Sequence, residues 1–162
     1  MDYYQGVVYD YIQESDGAMF IKAECPIQLG PGKIPAKGTS WYCDVVAVNF
    51  KEKKVYLCEV SYSRTLYALA KRLEAWSKEW PNLCAAMKQD HSIPDSWQVE
   101  PWVFVPEGLR KKLDERLSAL ARVSSSAGTV PMPTPKVTYL ELVPPWKQEE
   151  QKGTARATES KA

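Results

Sequence analysis

The sequence is poor in the side chains that most often mark a zinc site or a covalent active site. It has one histidine, His91, and its four cysteines, at Cys25, Cys43, Cys58 and Cys84, form no CxxC or CxH pair. A structural zinc site would therefore lack ligands at local spacing. We expect free thiols, with Cys43 and Cys58 buried as small apolar groups. A Gly-rich phosphate loop, a GxSxG motif and a Ser/His/Asp set are also missing.

The sequence also lacks an excess of charge and a long apolar run. The formal net charge is +1, so no field of the whole molecule attracts a polyanion, and only local basic patches remain available to bind one. No apolar run approaches the length that crosses a bilayer, and no secretory leader follows Met1. We therefore expect a cytoplasmic protein that makes no membrane contact.

Hydrophobic periodicity predicts an α/β protein. Helices are predicted at 3–14, 64–80, 81–89 and 107–122, and strands at 18–25, 41–50, 54–61, 98–105 and 136–143. This α-β-β-β-α-(α)-β-α-β order predicts a mixed central sheet with helices on both faces. We expect one domain over 1–146. The segment 147–162 has no large apolar side chain, which predicts a disordered tail.

Two acidic residues lie inside otherwise apolar strands. Asp44 is near the start of one strand, Glu59 is near the end of the next, and the polar turn 51–53 is short enough for a hairpin. A loop centred at 51–52 or at 52–53 puts the two carboxylates on the same face of the sheet. A loop centred on a single residue would point them to opposite faces.

Two anions side by side on an apolar sheet repel each other and lose hydration, at a cost on the order of several kcal/mol. A Mg²⁺ or Mn²⁺ ion compensates for this, since it prefers a few carboxylate oxygens and retains several waters. Such an ion activates water and stabilises the charge that develops on a phosphodiester under attack. The alternative is that Asp44 and Glu59 reach solvent, or pair with Lys22 or Arg64 at the sheet edge.

The segments WYCDVVAVNF, at 41–50, and KVYLCEVSY, at 54–62, resemble the core of the PD-(D/E)XK nuclease superfamily. The resemblance extends over about 3–105 and implies a restriction-endonuclease-like fold that hydrolyses DNA with Mg²⁺ or Mn²⁺. By position it implies metal ligands at Asp44, Glu59 and the Val60 carbonyl. An acid on the first helix sometimes contributes in this family, and Glu14 or Asp10 corresponds to it.

The chain departs from the family pattern at two positions. Cys43 stands in place of the proline, and Ser61 stands in place of the lysine that positions water and stabilises transition-state charge in the family. A serine hydroxyl supplies no cation for that catalytic role. Since some family members supply the lysine from a neighbouring element, Lys22 and Arg72 are the candidates. Arg72 falls about 90° from the centre of the apolar stripe of its predicted helix.

Other side chains near the predicted site have two interpretations. The cations predicted on the outer face of the long helix either contact phosphates or form a solvated surface; they are Arg64, Lys71 and Lys78. The aromatic side chains either stack on bases or pack at the rim of the core; they are Tyr42, Tyr62 and Tyr67.

Three functions remain open on this sequence. The first is a metal-dependent endonuclease-like domain that acts on DNA, as a homodimer or within a protein complex. Because of Ser61, the second is a catalytically silent module of the same fold that binds nucleic acid or a protein partner. The third is an unrelated α/β interaction protein, which would follow if Asp44 and Glu59 faced apart.

Overall fold

A computed structural model describes residues 2–14, 19–35, 39–124 and 130–143, and its strands form one mixed five-stranded sheet in the order β1-β2-β3-β4-β5. The strands are β1 Met19–Pro26, β2 Tyr42–Asn49, β3 Lys54–Val60, β4 Gln98–Val105 and β5 Lys136–Tyr139. The helices are α1 Tyr3–Glu14, α2 Tyr67–Lys78, α3 Trp80–Asp90 and α4 Arg110–Ser124. β1, β2 and β3 pair antiparallel, whereas β3, β4 and β5 pair parallel. The tail predicted at 147–162 lies outside the described residues.

Helices cover both faces of the sheet, as predicted from the two-sided apolar strands. On one face, Leu57 of β3 packs with Leu73 and Trp76 of α2, and with residues of α3 and α4. On the other face, Tyr56 of β3 packs with α1 and with the short 3-10 turn Leu140–Leu142. Successive residues of a strand point to opposite faces, which is how β3 contributes to both cores. Within the described residues, no helix combines the length and apolar character needed to span a membrane.

The two helices predicted at 64–80 and 81–89 are both present as α2 and α3, but α2 starts later and ends earlier than predicted. Leu66 adopts a left-handed conformation with φ 51°, so α2 begins only at Tyr67. Glu79, at φ −113°, separates α2 from α3, which begins at Trp80 with a proline in its first turn. The apolar stripe is nevertheless buried as predicted, because both helices keep it on the sheet. Arg64 lies in the preceding turn, so its placement on the outer face of the helix was wrong.

The last strand is shorter than the 136–143 predicted from alternation. β5 ends at Tyr139, which pairs with Val105, the final residue of β4. Pro106 follows and has no N–H to continue a ladder. The chain turns instead into the 3-10 segment Leu140–Leu142. The alternating apolar pattern in the sequence therefore continues beyond the last residue that has a pairing partner on β4. The helix predicted from 107 likewise begins as the 3-10 turn Glu107–Leu109 before α4.

Candidate functional site

The turn between β2 and β3 sets which residues face each other across the hairpin. The Asn49 side chain accepts a hydrogen bond from the Glu52 N–H at 2.9 Å and donates one to the Glu52 carboxylate at 3.0 Å. Lys53 takes the left-handed conformation, φ 57°, that closes the four-residue loop. The resulting register pairs Val45 with Cys58. Continued by one residue, it sets Asp44 opposite Glu59 on the same face, as one of the two loop geometries predicted.

The two strands part at this level, and the carboxylates take over the bonds that the ladder would have made. The Val60 N–H donates to Asp44 Oδ2 at 2.9 Å, and the Asp44 N–H donates to Glu59 Oε1 at 3.3 Å. Beyond this point β3 continues along β4, where the Ser61 N–H donates to the Phe104 carbonyl at 3.0 Å. The strands β2 and β3 therefore separate at the end of the hairpin where Asp44 and Glu59 lie, and both side chains occupy the gap between them.

Arg72 of α2 lies between the two acids. Its Nη1 is 2.6 Å from Glu59 Oε2 and 3.8 Å from Asp44 Oδ1, and its Nη2 donates to the Thr39 carbonyl at 3.1 Å. One turn later on the same helix, the Trp76 indole N–H donates to the Ser40 carbonyl at 2.7 Å. Since residues i and i+4 share a helix face, α2 holds the segment leading into β2 at two successive points.

Gln5 of α1 completes the hydrogen bonding of the acids from the other side of the sheet. Its Nε2 donates to Asp44 Oδ1 at 3.0 Å. Each of the four carboxylate oxygens of Asp44 and Glu59 therefore accepts at least one bond from the protein. Gln5 was not predicted as a site residue, because a glutamine in the first turns of a helix carries no motif and only the packing of α1 places it here.

Burial and mutual repulsion shape the electrostatics of the pair. Glu59 is 3% exposed and Asp44 is 9% exposed. Burial raises the pKa of Glu59 well above its ordinary value, the Asp44 charge raises it further, and the Arg72 charge opposes both. Burial alone would lower the pKa of Arg72, but attraction to Glu59 and Asp44 raises it overall, so the guanidinium stays charged. When both acids are ionised, the site carries two negative charges and the single positive charge of Arg72, which favours a further cation.

The structure places the other predicted ligands and cations away from the acids. Glu14 is exposed at the far end of α1, nine residues or about 14 Å along the helix axis from Gln5, and Asp10 is also exposed. Lys22 is exposed on β1, and its charge acts on Cys25 and His91. The charges that act on Glu59 are those of Asp44 and Arg72. Of the two predicted substitutes for the family lysine, the structure brings only Arg72 to the carboxylates.

The surface candidates remain on the surface. Arg64 and Lys71 are exposed, and Lys78 pairs with Glu74 on its own helix at 2.9 Å. Tyr62 and Tyr67 are exposed, whereas Tyr42 is half-buried. The four cysteines are free, and Cys43 and Cys58 are buried beside the acids.

Comparison with known proteins identifies no relative of this chain. No family model, no curated protein and no solved structure matches the chain significantly.

Proposed function

We propose that this chain is a divalent-metal-dependent, endonuclease-like domain that hydrolyses DNA phosphodiester bonds at Asp44 and Glu59. The observation that carries the proposal is the meeting of two buried carboxylates, one from each strand, at the open end of a hairpin. An oxygen of each acid lies within 3.8 Å of a single Arg72 nitrogen, so one cationic group already lies close to both carboxylates.

The order of elements supports a restriction-endonuclease-like identity for the fold. A helix, an antiparallel meander of three strands, helices and then a parallel strand follow one another in α1 to β4. This is the order that the sequence resemblance implies. In that arrangement the aspartate of the second strand and the acid of the third reach the same end of the sheet, where Asp44 and Glu59 are found.

The donor set fits a hard divalent cation. Mg²⁺ typically binds one or two carboxylates and keeps several waters, so Asp44 and Glu59 are sufficient, with the Val60 carbonyl as the third ligand that the resemblance implies. Within the described parts of the chain no three His, Cys, Asp or Glu side chains converge, so waters would have to fill the positions that the two acids and the Val60 carbonyl leave open. When bound, the ion would supply a nucleophilic water and stabilise charge on the phosphate.

Arg72 can supply the positive charge that Ser61 lacks. Its guanidinium donates to Glu59 and to the Thr39 carbonyl, it keeps its charge, and it would have to leave Glu59 Oε2 when an ion binds there. Arginine binds phosphate oxygens in a bidentate manner, and it offers its charge without giving up a proton. Arg72 therefore serves as the group that holds the phosphate and stabilises its developing charge, whereas Glu59 and Asp44 hold the ion.

A second candidate is a catalytically silent module of the same fold that binds nucleic acid or a protein partner. Two observations favour it. The four carboxylate oxygens already accept bonds from the protein, and Arg72 already neutralises one of the two charges. A closed set of this kind is a stable structural element without any ion, and Ser61 removes the family's catalytic lysine.

Cleavage of supercoiled plasmid in Mg²⁺ or Mn²⁺ separates these candidates. We expect slow nicking by the wild type and loss of nicking in Asp44→Asn, because the variant keeps the shape of the side chain and removes a metal-binding charge. Glu100→Gln is the matched control. Glu100 is also a strand carboxylate but pairs with Lys54 at 3.0 Å, so nicking should be unchanged.

Ser61→Lys distinguishes a weakened enzyme from a silent fold. It restores the family lysine beside Glu59 and should raise or preserve the nicking rate. If only Ser61→Lys cuts DNA, the wild type is a silent module. If neither protein cuts with any divalent ion, the enzyme proposal is refuted.

A further inference from the structure

Three tyrosine rings form a continuous cluster on the surface near the N-terminus of α1. The Tyr4 and Tyr62 rings lie 4.6 Å apart between centroids, and the Tyr3 ring meets that of Tyr4 edge-on at 5.6 Å. Tyr3 is 66% exposed and Tyr62 is 50% exposed, so the cluster presents ring surface to solvent. Grouped aromatic surface that is exposed to solvent is a candidate binding surface.

The cluster is joined to the carboxylate site at two points. Gln5, next to Tyr4, donates to Asp44 Oδ1 at 3.0 Å. Tyr62 follows Val60 by two residues, and the Val60 N–H donates to Asp44 Oδ2 at 2.9 Å. The Tyr62 hydroxyl in turn donates to Asp2 Oδ2 at 3.3 Å. The rings therefore lie on α1 and on the segment that directly follows β3, next to two of the groups that donate hydrogen bonds to Asp44.

The chemistry of the cluster favours unpaired bases as its ligand. Aromatic side chains bind single strands by stacking on the base faces, which an intact duplex keeps covered by neighbouring base pairs. Arg64 is exposed two residues after Tyr62 and can contact a phosphate of the same strand. The phenol hydroxyls give the rings a polar edge, which suits a nucleotide base better than an apolar peptide.

We propose that Tyr3, Tyr4 and Tyr62 form a base-stacking platform that binds single-stranded DNA next to Asp44 and Glu59. The choice of DNA as ligand rests on the proposed function. The platform itself requires neither the metal nor cleavage. If the proposed nuclease uses this platform, its substrate is DNA that contains an unpaired segment, such as a flap, a gap or a frayed end.

Fluorescence anisotropy of a labelled oligo(dT) in EDTA tests the platform without metal and without cleavage. Tyr62→Ala should weaken binding by roughly 5- to 150-fold, the range expected for loss of one stacking partner. Tyr62→Phe keeps the ring and should bind like the wild type. Tyr3→Ala removes a mostly exposed ring with little effect on folding, and it should also weaken binding.

Phe50→Ala is the matched control. Phe50 is also an exposed aromatic residue, at 52%, but it lies in the β2–β3 turn at the opposite end of the hairpin. Its removal should leave the affinity unchanged, and duplex DNA should bind more weakly than oligo(dT). The platform is overturned if the wild type does not bind oligo(dT), if duplex binds as tightly, or if Phe50→Ala loses as much affinity as Tyr62→Ala. Tight binding without cleavage in Mn²⁺ would refute the nuclease and leave the platform in place.

Discussion

Replacement of Arg72 by methionine removes the cation that, among the described residues, contacts both acids, and it keeps a long apolar stem on α2. The change leaves Asp44 and Glu59 facing each other with side chains only 12% and 4% exposed. It also removes the bond from Nη2 to the Thr39 carbonyl. We expect a large loss of stability, because a buried charge without its partner is more costly than no pair at all.

The size of this loss of stability depends on how readily Glu59 binds a proton when Arg72 is absent. Breaking a buried ion pair by removal of one partner costs about 3–5 kcal/mol. Glu59 can reduce this cost by binding a proton, since burial and the Asp44 charge already raise its pKa. At pH 8, where protonation is most costly, we expect the free energy of unfolding to fall by about 2–4 kcal/mol.

The loss should shrink towards acid pH. The pKa of Glu59 is higher in the folded state than its ordinary value near 4.5, so the folded protein binds the proton more tightly than the unfolded chain. The stability that Glu59 contributes is therefore fully present below about pH 4.5 and is lost as the pH rises through the folded-state pKa. Without Arg72 that pKa rises further. At pH 5 the difference between variant and wild type should be only about 1 kcal/mol, the value of an ordinary hydrogen bond.

Urea unfolding followed by tryptophan fluorescence at a series of pH values measures this difference. Lys78→Met is the matched control on the same helix. Its pair with Glu74 is surface-exposed, so it should cost well below about 1 kcal/mol at every pH. The double variant Arg72→Met with Glu59→Gln should recover part of the loss, because the two groups are directly coupled. If Arg72→Met unfolds like the wild type at pH 8, or if its loss does not vary with pH, Arg72 does not stabilise a buried, charged Glu59.

Two further outcomes are expected. Millimolar Mg²⁺ or Mn²⁺ should raise the thermal unfolding temperature of the wild type, by the equivalent of about 2.7 kcal/mol when the ion is at 100 times its Kd. Asp44→Asn should abolish that rise. If differential scanning fluorimetry shows no metal-dependent shift, the silent module is favoured. Trp76→Phe should cost about 1–3 kcal/mol in urea unfolding, because it removes the 2.7 Å bond to the Ser40 carbonyl and leaves a void in the core; a far smaller loss would contradict the proposed anchoring of the β2 entry by α2.

The elements that the sequence predicts well are those whose periodicity and pairing agree. α1 and β4 have the predicted bounds, 3–14 and 98–105, because turn signals or polar residues flank a clear pattern on each side. The boundaries that differ depend on single backbone conformations. The start of α2 is set by a left-handed Leu66, a conformation that no propensity scale predicts for leucine. The end of β5 is set by Pro106, which directly follows the neighbouring strand β4 and which alternation within β5 cannot reveal.

The acids of the site could be predicted, but the groups that bind them could be predicted only in part. Asp44 and Glu59 stand out because carboxylates are costly in apolar strands, and the hairpin gives their shared face. Arg72 was one of two candidates, chosen from its angle on the helix. Gln5 could not be found, since it reaches Asp44 across the sheet from a helix 39 residues earlier in the chain. Long-range packing of this kind leaves no local pattern.

Two cations compete for Glu59 Oε2: the Arg72 guanidinium and the proposed divalent metal ion. Arg72 holds that oxygen at 2.6 Å, and a divalent ion bound by both acids needs it as well. The two cations also repel each other, so an ion can bind only if the guanidinium moves away from Glu59. In an enzyme that movement places a charged, phosphate-binding side chain at the edge of the metal site, where the missing lysine would have been. In a silent module no ion compensates for the loss of the Arg72 contact, and the contact persists. The nuclease and the scaffold thus differ in the mobility of a single arginine.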